Sequence, residues 1–260
     1  MHSVLENILE AKRDGVDRSH AYRQTLEIRA NQVPRPADFI DSLKKPGRRI
    51  IAEVKRSSPS EGQLRSNVNP TQLANDYQLA GAAAISVLTE ESYFGGSLDD
   101  LARVSQGVSI PCLRKDFIVD EIQILEARIA GASAILLIVA ALNDGELRHL
   151  MEFTQELGLD CLVEVHTREE LVRAEQVGAT LIGVNNRNLH TLEIDLHVSE
   201  RLRPHMGRNV TAIAESGIHE LAHLQRLEDA GYTCFLIGST LMKASEPGNW
   251  LRSLINDTDP

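Results

Sequence analysis

The chain has 260 residues, 42% of them hydrophobic, enough for one large domain or two small ones with a sizeable core. A formal net charge of -10 at pH 7 argues against a nucleic-acid or anionic-membrane partner; it leaves an anionic small molecule open, because local lysines and backbone amides decide that. Three cysteines, an odd number without a C-x-x-C, argue against a disulfide framework: Cys112, Cys161 and Cys234 lie in apolar runs and read as buried, reduced thiols of a cytoplasmic protein.

The segment Met1 to Asp14 carries Glu6, Asn7 and Glu10, so it lacks the apolar centre of a signal peptide. Residues 4–13 pattern as an amphipathic helix with Val4, Leu5, Ile8 and Leu9 on one face. An arginine-rich stretch follows (Arg13, Arg18, Arg23, Arg29), readable as a second helix or as a loop, and Pro34 and Pro36 break it. Residues 38–43 predict one more helical turn. The expectation is a single domain over 1–260, with 1–47 as an N-terminal helical extension.

From residue 49 the pattern alternates. Strand-like runs are predicted at 49–54, 83–88, 110–114, 133–139, 160–165, 180–184, 210–214 and 232–237, with helix-like runs between them. Asn69 and Pro70 open one helix. Another covers 120–130, with Ile122, Leu125 and Ile129 on one side, and Asn143 caps a third that buries Leu147, Leu150, Met151 and Leu157. Thr167 and Glu170 predict a capping box for a fourth. Helices end at Gly81, Gly131, Gly178 and Gly231, spaced by 50, 47 and 53 residues, which is about two β/α units each. The apolar run 129–142 is too short for a membrane span. Eight strands alternating with helices predict an α/β fold, a (β/α)8 TIM barrel. An open doubly wound sheet, the alternative, would bring a G-x-G-x-x-G loop after its first strand, and none is present.

In a barrel, chemistry gathers where strands end. Those ends carry Glu53 and Lys55, Arg114-Lys115-Asp116-Phe117, Glu164-Val165-His166, Asn185-Asn186-Arg187, Glu215-Ser216-Gly217 and Gly238-Ser239-Thr240, with Glu90 to Gly96 after the second strand. Glu53 and Lys55 share a strand face, as a pair that does chemistry or as solvated charges at a frayed end. The small turns Ser216-Gly217 and Gly238-Ser239 suit a phosphate, though Gly and Ser also simply terminate strands. Lys115 and Glu164 form a candidate acid/base pair, the lysine able to donate a proton at neutral pH because desolvation favours its neutral form; a structural salt bridge is the plainer alternative. Phe94 and Phe117 offer a wall for a ring-shaped substrate. His219-Glu220-Leu221-Ala222-His223 matches the zinc-protease pattern H-E-x-x-H, but both histidines are expected on the solvent face of an outer helix, away from the catalytic rim and without a third ligand. His166 reads as a bystander, and residues 57–69 form a polar loop able to act as a lid.

Seven segments then carry a resemblance: Ala52-Glu53-Val54-Lys55-Arg56-Ser57-Ser58-Pro59-Ser60, Tyr93-Phe94-Gly95-Gly96-Ser97, Leu113-Arg114-Lys115-Asp116-Phe117, Leu162-Val163-Glu164-Val165-His166, Gly183-Val184-Asn185-Asn186-Arg187-Asn188-Leu189, Ala214-Glu215-Ser216-Gly217-Ile218 and Leu236-Ile237-Gly238-Ser239. In this order and at these strand ends they resemble the indole-3-glycerol phosphate synthases, as does the N-terminal extension; the last turn departs, since many members carry glutamate after the glycine. The resemblance implies ring closure, decarboxylation and dehydration of 1-(2-carboxyphenylamino)-1-deoxyribulose 5-phosphate, without metal or organic cofactor. It implies Lys115 as the acid on the ketone oxygen, Glu164 as its partner in dehydration, Lys55 on anionic substrate groups, Glu53 as orienting group or relay, and Asn185 as holder of the reacting geometry. Arg187 would support anionic groups, Ser58, Glu215 and Ser216 would complete the pocket, Gly217, Gly238 and Ser239 would cradle phosphate, and Phe94, Phe117, Leu136 and Leu236 would contact the anthranilate ring. The expected partner is a small phosphorylated substrate, with no nucleic acid and no membrane, and the expected state is a monomer or weak homodimer. A related phosphate-binding isomerase is disfavoured by Lys55 and Asn185, and a catalytically silent barrel by the presence of both Lys115 and Glu164.

Overall fold

Eight short runs rich in Ile, Val, Leu and Ala become the staves of a closed parallel barrel in the computed structural model, which describes residues 4–66 and 68–257. Met1 to Ser3 and Asn67 of the polar loop lie outside the described residues, as does the side chain of Arg18. The strands are β1 (Arg49–Val54), β2 (Ala84–Leu88), β3 (Cys112–Lys115), β4 (Ala134–Ile138), β5 (Asp160–Val165), β6 (Leu181–Asn185), β7 (Thr211–Glu215) and β8 (Cys234–Ile237). Each pairs with its neighbours in sequence, and β8 closes onto β1 with Arg49 opposite Cys234 and Ala52 opposite Ile237. Strands wrapped by helices are buried on both faces, which is why they read as continuous apolar runs. The predicted strands all appear, with ends moved by two residues or fewer; β3 starts at Cys112, just after Pro111, whose nitrogen has no hydrogen for a ladder.

The barrel is enclosed by α4 (Pro70–Ala80), α5 (Leu98–Gly107), α6 (Glu121–Ile129), α7 (Asp144–Glu156), α8 (Arg168–Gln176), α9 (His197–Leu202), α10 (Leu221–Asp229), α11 (Ser239–Lys243) and α12 (Pro247–Ile255). Asn69, Asp120 and Asn143 cap their helices with side-chain oxygens, and the glycines at 81, 131, 178 and 231 take positive φ where helices turn into strands. The box expected at Thr167 is half formed. Thr167 accepts from the Glu170 amide, but Glu170 reaches back one residue further, to the His166 amide at 2.6 Å and its ring Nδ1 at 3.2 Å. Among the described residues no helix is long and apolar enough to cross a membrane. Cys112, Cys161 and Cys234 are free thiols, and burial pushes all three above the usual thiol range.

The N-terminal extension is helical throughout its first part: α1 (Val4–Ser19) leads through a single tight turn into α2 (Arg23–Gln32), and α3 (Phe39–Leu43) precedes β1. The arginine-rich stretch is therefore helix and not loop. Its placement follows from packing. Val16 and Ala30 join Ile122 and Leu125 in a small satellite core beside α6. Arg23 pairs with Glu121 and lies 6.0 Å over the ring of Phe153. Where the prolines stop the helix, Arg128 donates to the carbonyls of Val33 and Pro34 at 2.7 Å each. At the opposite end of the barrel from the strand termini, Asp160 accepts from the Phe39 and Ile40 amides, both at 3.0 Å, and so caps α3 with a residue from β5.

Candidate active site

The alternation of a strand places Glu53 and Lys55 on the barrel interior at the end of β1, where they pair at 3.0 Å. The room for this pair comes from β8: a methyl group added at Gly238 would overlap the Glu53 carboxylate. A quarter-turn around the rim, β3 delivers Lys115. Its Nζ lies 3.2 Å from Glu164 Oε2 of β5 and 3.2 Å from Glu215 Oε2 of β7. Asn185, at the end of β6, donates from Nδ2 to Glu164 Oε1 at 3.1 Å, while its own Oδ1 accepts from the Arg187 amide at 3.0 Å. Both glutamates are 1% exposed, so their charges are solvated by this network and hardly by water.

The two carboxylates beside Lys115 differ. Burial alone would raise Glu164, but Lys115, His166 and the Asn185 amide outweigh it and hold the carboxyl below its usual value. Glu215 is pushed up to about 7, chiefly by burial, with the charges of Glu164 and Glu53 adding to it and Lys115 offsetting only part. Its Oε1 has no hydrogen-bond partner, and it sits in the space where a methyl group at Gly183 would be. For Lys115, burial would favour the neutral amine as the sequence reading supposed. The surrounding Glu215, Glu164 and Glu53 reverse that, and its pKa lies above the ordinary lysine value. The arrangement is a lysine held charged at neutral pH, beside one ionised carboxylate and one whose pKa lies near 7.

Above this layer lies an open cavity. Phe94 and Phe117 stand 6.3 Å apart at a 39° tilt on one wall, and Leu136 and Leu236 line it with them. Val4, Leu5 and Ile8 of α1 also face it. These three were legible as a buried helix face, but nothing in their spacing says which surface they cover. Lys12, from the same helix, reaches the fully buried Asp116 at 2.6 Å, one residue beyond Lys115; Arg114 and Thr89 hold that carboxylate as well.

The opposite end of the cavity is built from turns. Ser216 and Gly217 take φ of 66° and 81°, two left-handed residues in succession, and Asn186 fixes the turn through the Ser216 carbonyl at 3.1 Å. Ser58, Gly238 and Ser239 line the same space. Ser58 belongs to a short hairpin (Ser57–Ser58 with Gly62–Gln63) within the predicted lid loop, tied down by Ser57 donating to the Tyr93 carbonyl at 2.9 Å. From its tip Glu61 accepts from Ser239 and pairs with Lys243 at 2.7 Å. Arg187 faces the cavity but gives one guanidinium nitrogen to the Leu192 carbonyl at 3.0 Å.

The histidine motif is arranged otherwise than expected. α10 begins at Leu221, so His219 and Glu220 precede the helix and cannot form the two-histidine helix face of a zinc site. His219 lines the cavity and does not face away from the rim. Among the described residues no cluster of three or more His, Cys, Asp or Glu side chains could hold a metal. His166 does not line the cavity but adjoins the charge network: its Nε2 lies 3.4 Å from Glu164, and its ring is held by Glu170.

Residues 5–254 match the family model of indole-3-glycerol phosphate synthase. The chain is 49% identical over 260 residues to the indole-3-glycerol phosphate synthase of Koribacter versatilis (strain Ellin345), covering 98% of this chain and 100% of that one. Identity to the enzyme of the same name from Mycolicibacterium gilvum (strain PYR-GCK) is 49% over 255 residues, or 97% of this chain and 94% of the relative. Among solved structures, a 3-hexulose-6-phosphate synthase superposes with a TM-score of 0.63 at 16% identity, over 81% of this chain and 100% of that chain, a likeness of fold.

Proposed function

The chain belongs to the indole-3-glycerol phosphate synthase family, and from that premise we propose which of its residues carry each step. The reaction is a carboxy-lyase reaction of tryptophan biosynthesis, in which 1-(2-carboxyphenylamino)-1-deoxyribulose 5-phosphate becomes indole-3-glycerol phosphate. The phosphate rests on the turns Ser216-Gly217 and Gly238-Ser239, where small residues let backbone amides approach. The anthranilate ring lies between Phe94, Phe117, Leu136 and Leu236, and Ser58 completes the pocket at the end where the phosphate turns lie. Lys55, steered by Glu53, and Arg187 hold the anionic groups.

The ring carbon that bears the carboxylate attacks the ketone carbon. As that bond forms, the Lys115 ammonium gives a proton to the ketone oxygen. Carbon dioxide then leaves, and its bonding pair restores the aromatic ring. Lys115 regains a proton from Glu215, 3.2 Å away, which still carries one near pH 7. Glu164, kept ionised, takes the proton from the carbon beside nitrogen, while the hydroxyl departs with a proton from Lys115 as water. Asn185 keeps Glu164 aimed at this spot. The observation that carries the reading is Lys115 Nζ at 3.2 Å from both Glu164 and Glu215 in a nearly dry layer under an apolar wall. The same reading takes residues 1–260 as one catalytic domain acting in the cytoplasm as a monomer or weak homodimer, on a small phosphorylated substrate and on neither nucleic acid nor membrane.

Turnover followed by indole fluorescence tests it. Lys115→Ala should lower kcat by about 10³-fold, within the range for a lost general acid, with the circular dichroism spectrum unchanged. Activity within tenfold of the parent would move the acid role to Lys55, and inactivity of both proteins would undo the assignment.

A further inference from the structure

His219 has no part in the steps above, yet it stands at the phosphate end of the cavity with Ser216, Gly217, Ser239 and Thr240. The two left-handed residues at 216 and 217 turn the chain, Ile218 enters the core, and His219 emerges on the cavity side. Its tautomer follows from the hydrogen bonds. Thr240 donates its hydroxyl hydrogen to the Ile218 carbonyl at 2.7 Å, so His219 Nδ1, 3.0 Å from the Thr240 oxygen, must itself carry a hydrogen. A neutral His219 therefore has its lone pair on Nε2. Such a nitrogen repels a phosphate oxygen; protonated, it donates to one.

The surroundings decide when that proton arrives. On α10 and the turn before it, His223 accepts from the His219 amide at 3.2 Å through Nδ1, which leaves its hydrogen on Nε2, facing Glu220 at 3.5 Å. From α11 comes Lys243, paired with Glu61 of the hairpin, and from the loop after β6 comes Arg187. Burial, His223, Lys243 and Arg187 all disfavour a charged His219, against Glu61 alone, so its pKa lies below the ordinary histidine value. A phosphate dianion brought to this end reverses the balance.

We propose that His219 is a phosphate-recognising residue of this chain, which takes up a proton from solvent on Nε2 as the phosphorylated substrate binds; the proposal rests on the reading that the turns at 216–217 and 238–239 cradle the phosphate. Affinity for the substrate then falls as pH rises through the neutral range, by up to about tenfold per pH unit while one proton is bound with the ligand.

Two measurements test it. In the first, inorganic phosphate is titrated into the protein while histidine ring signals and backbone amides are followed by NMR, with His219→Asn identifying the His219 ring. Phosphate should shift the amides of Ser216, Gly217, Gly238 and Ser239 and raise the midpoint of the His219 titration by at least about one pH unit. Shifted amides with an unmoved His219 midpoint would overturn the proposal and leave the cradle standing; silent amides would overturn both. In the second, KM is measured from pH 6.5 to 8.5 for the parent and His219→Asn. The variant should have a KM several-fold higher at pH 6.5, converging on the parent at pH 8.5, with the difference falling on KM and not on kcat. A KM difference independent of pH would reduce His219 to a space-filling role and refute the proton uptake.

Discussion

Lys115 and Glu215 illustrate how far a residue's chemistry depends on neighbours that are remote in sequence. Lys115 was legible as a candidate because it ends an apolar strand, where desolvation can tune a lysine for proton transfer. Its charge state was not legible, since it is set by three glutamates from three other strands. Glu215 is the sharper case. Its pKa near 7 comes chiefly from burial, with the charges of Glu164 and Glu53 from two other strands adding to it, which no pattern in the segment Ala214 to Ile218 announces. The folded protein favours protonated Glu215, so this residue's contribution to stability is full below about pH 4 and is lost as pH rises toward 7. Over that window the loss is on the order of 3 kcal/mol. Glu215→Gln should flatten this part of the stability profile, measured by urea denaturation between pH 5 and 8, and should remove an inflection near neutral pH from kcat/KM. An unchanged inflection would assign it to another group. His219 was misplaced for a local reason: the paired left-handed residues at 216 and 217 delay the start of α10, so a helical spacing count begins in the wrong place.

At the scale of elements, the periodic signals were reliable. The caps at Asn69 and Asn143 located the starts of α4 and α7, and the glycine stops at 81 and 131 the ends of α4 and α6, because these are short-range hydrogen bonds written in adjacent residues. The docking of α1 and α3 was not legible, because a buried face does not name its partner. Asp160 shows what was missed: an acidic residue opening β5 looks like a solvated strand end, yet it satisfies two amides of a helix 120 positions earlier in the chain. Asp160→Ala should destabilise the protein by about 2 kcal/mol, the scale of hydrogen bonds to a charged acceptor, read as a lower denaturation midpoint with kcat little changed. A loss below about 0.5 kcal/mol would mean that water replaces the cap fully.

Taken whole, the molecule is a barrel with a strap. The extension begins over the cavity with Leu5 and Ile8, ties to Asp116 through Lys12, runs down beside α6, and is fastened at the far end by Asp160. The (β/α)8 architecture could be read from strand count and glycine spacing, whereas the strap's route needed the pairings just named. Lys12→Met leaves Asp116 with Arg114, so the loss of stability should be less than the ~3 kcal/mol that follows removal of one partner of an isolated buried pair. The effect should appear instead as a several-fold rise in KM, since α1 walls the cavity; an unchanged KM would show that the strap does not shape the substrate's seat. The strap also has a mechanical consequence. Force applied along it from a handle on α1 would load the Lys12–Asp116 tether before any barrel strand, so the cavity would lose a wall while the barrel still bore tension. A single molecule held in a trap would then lose its catalytic chamber at one force and its fold at a higher one.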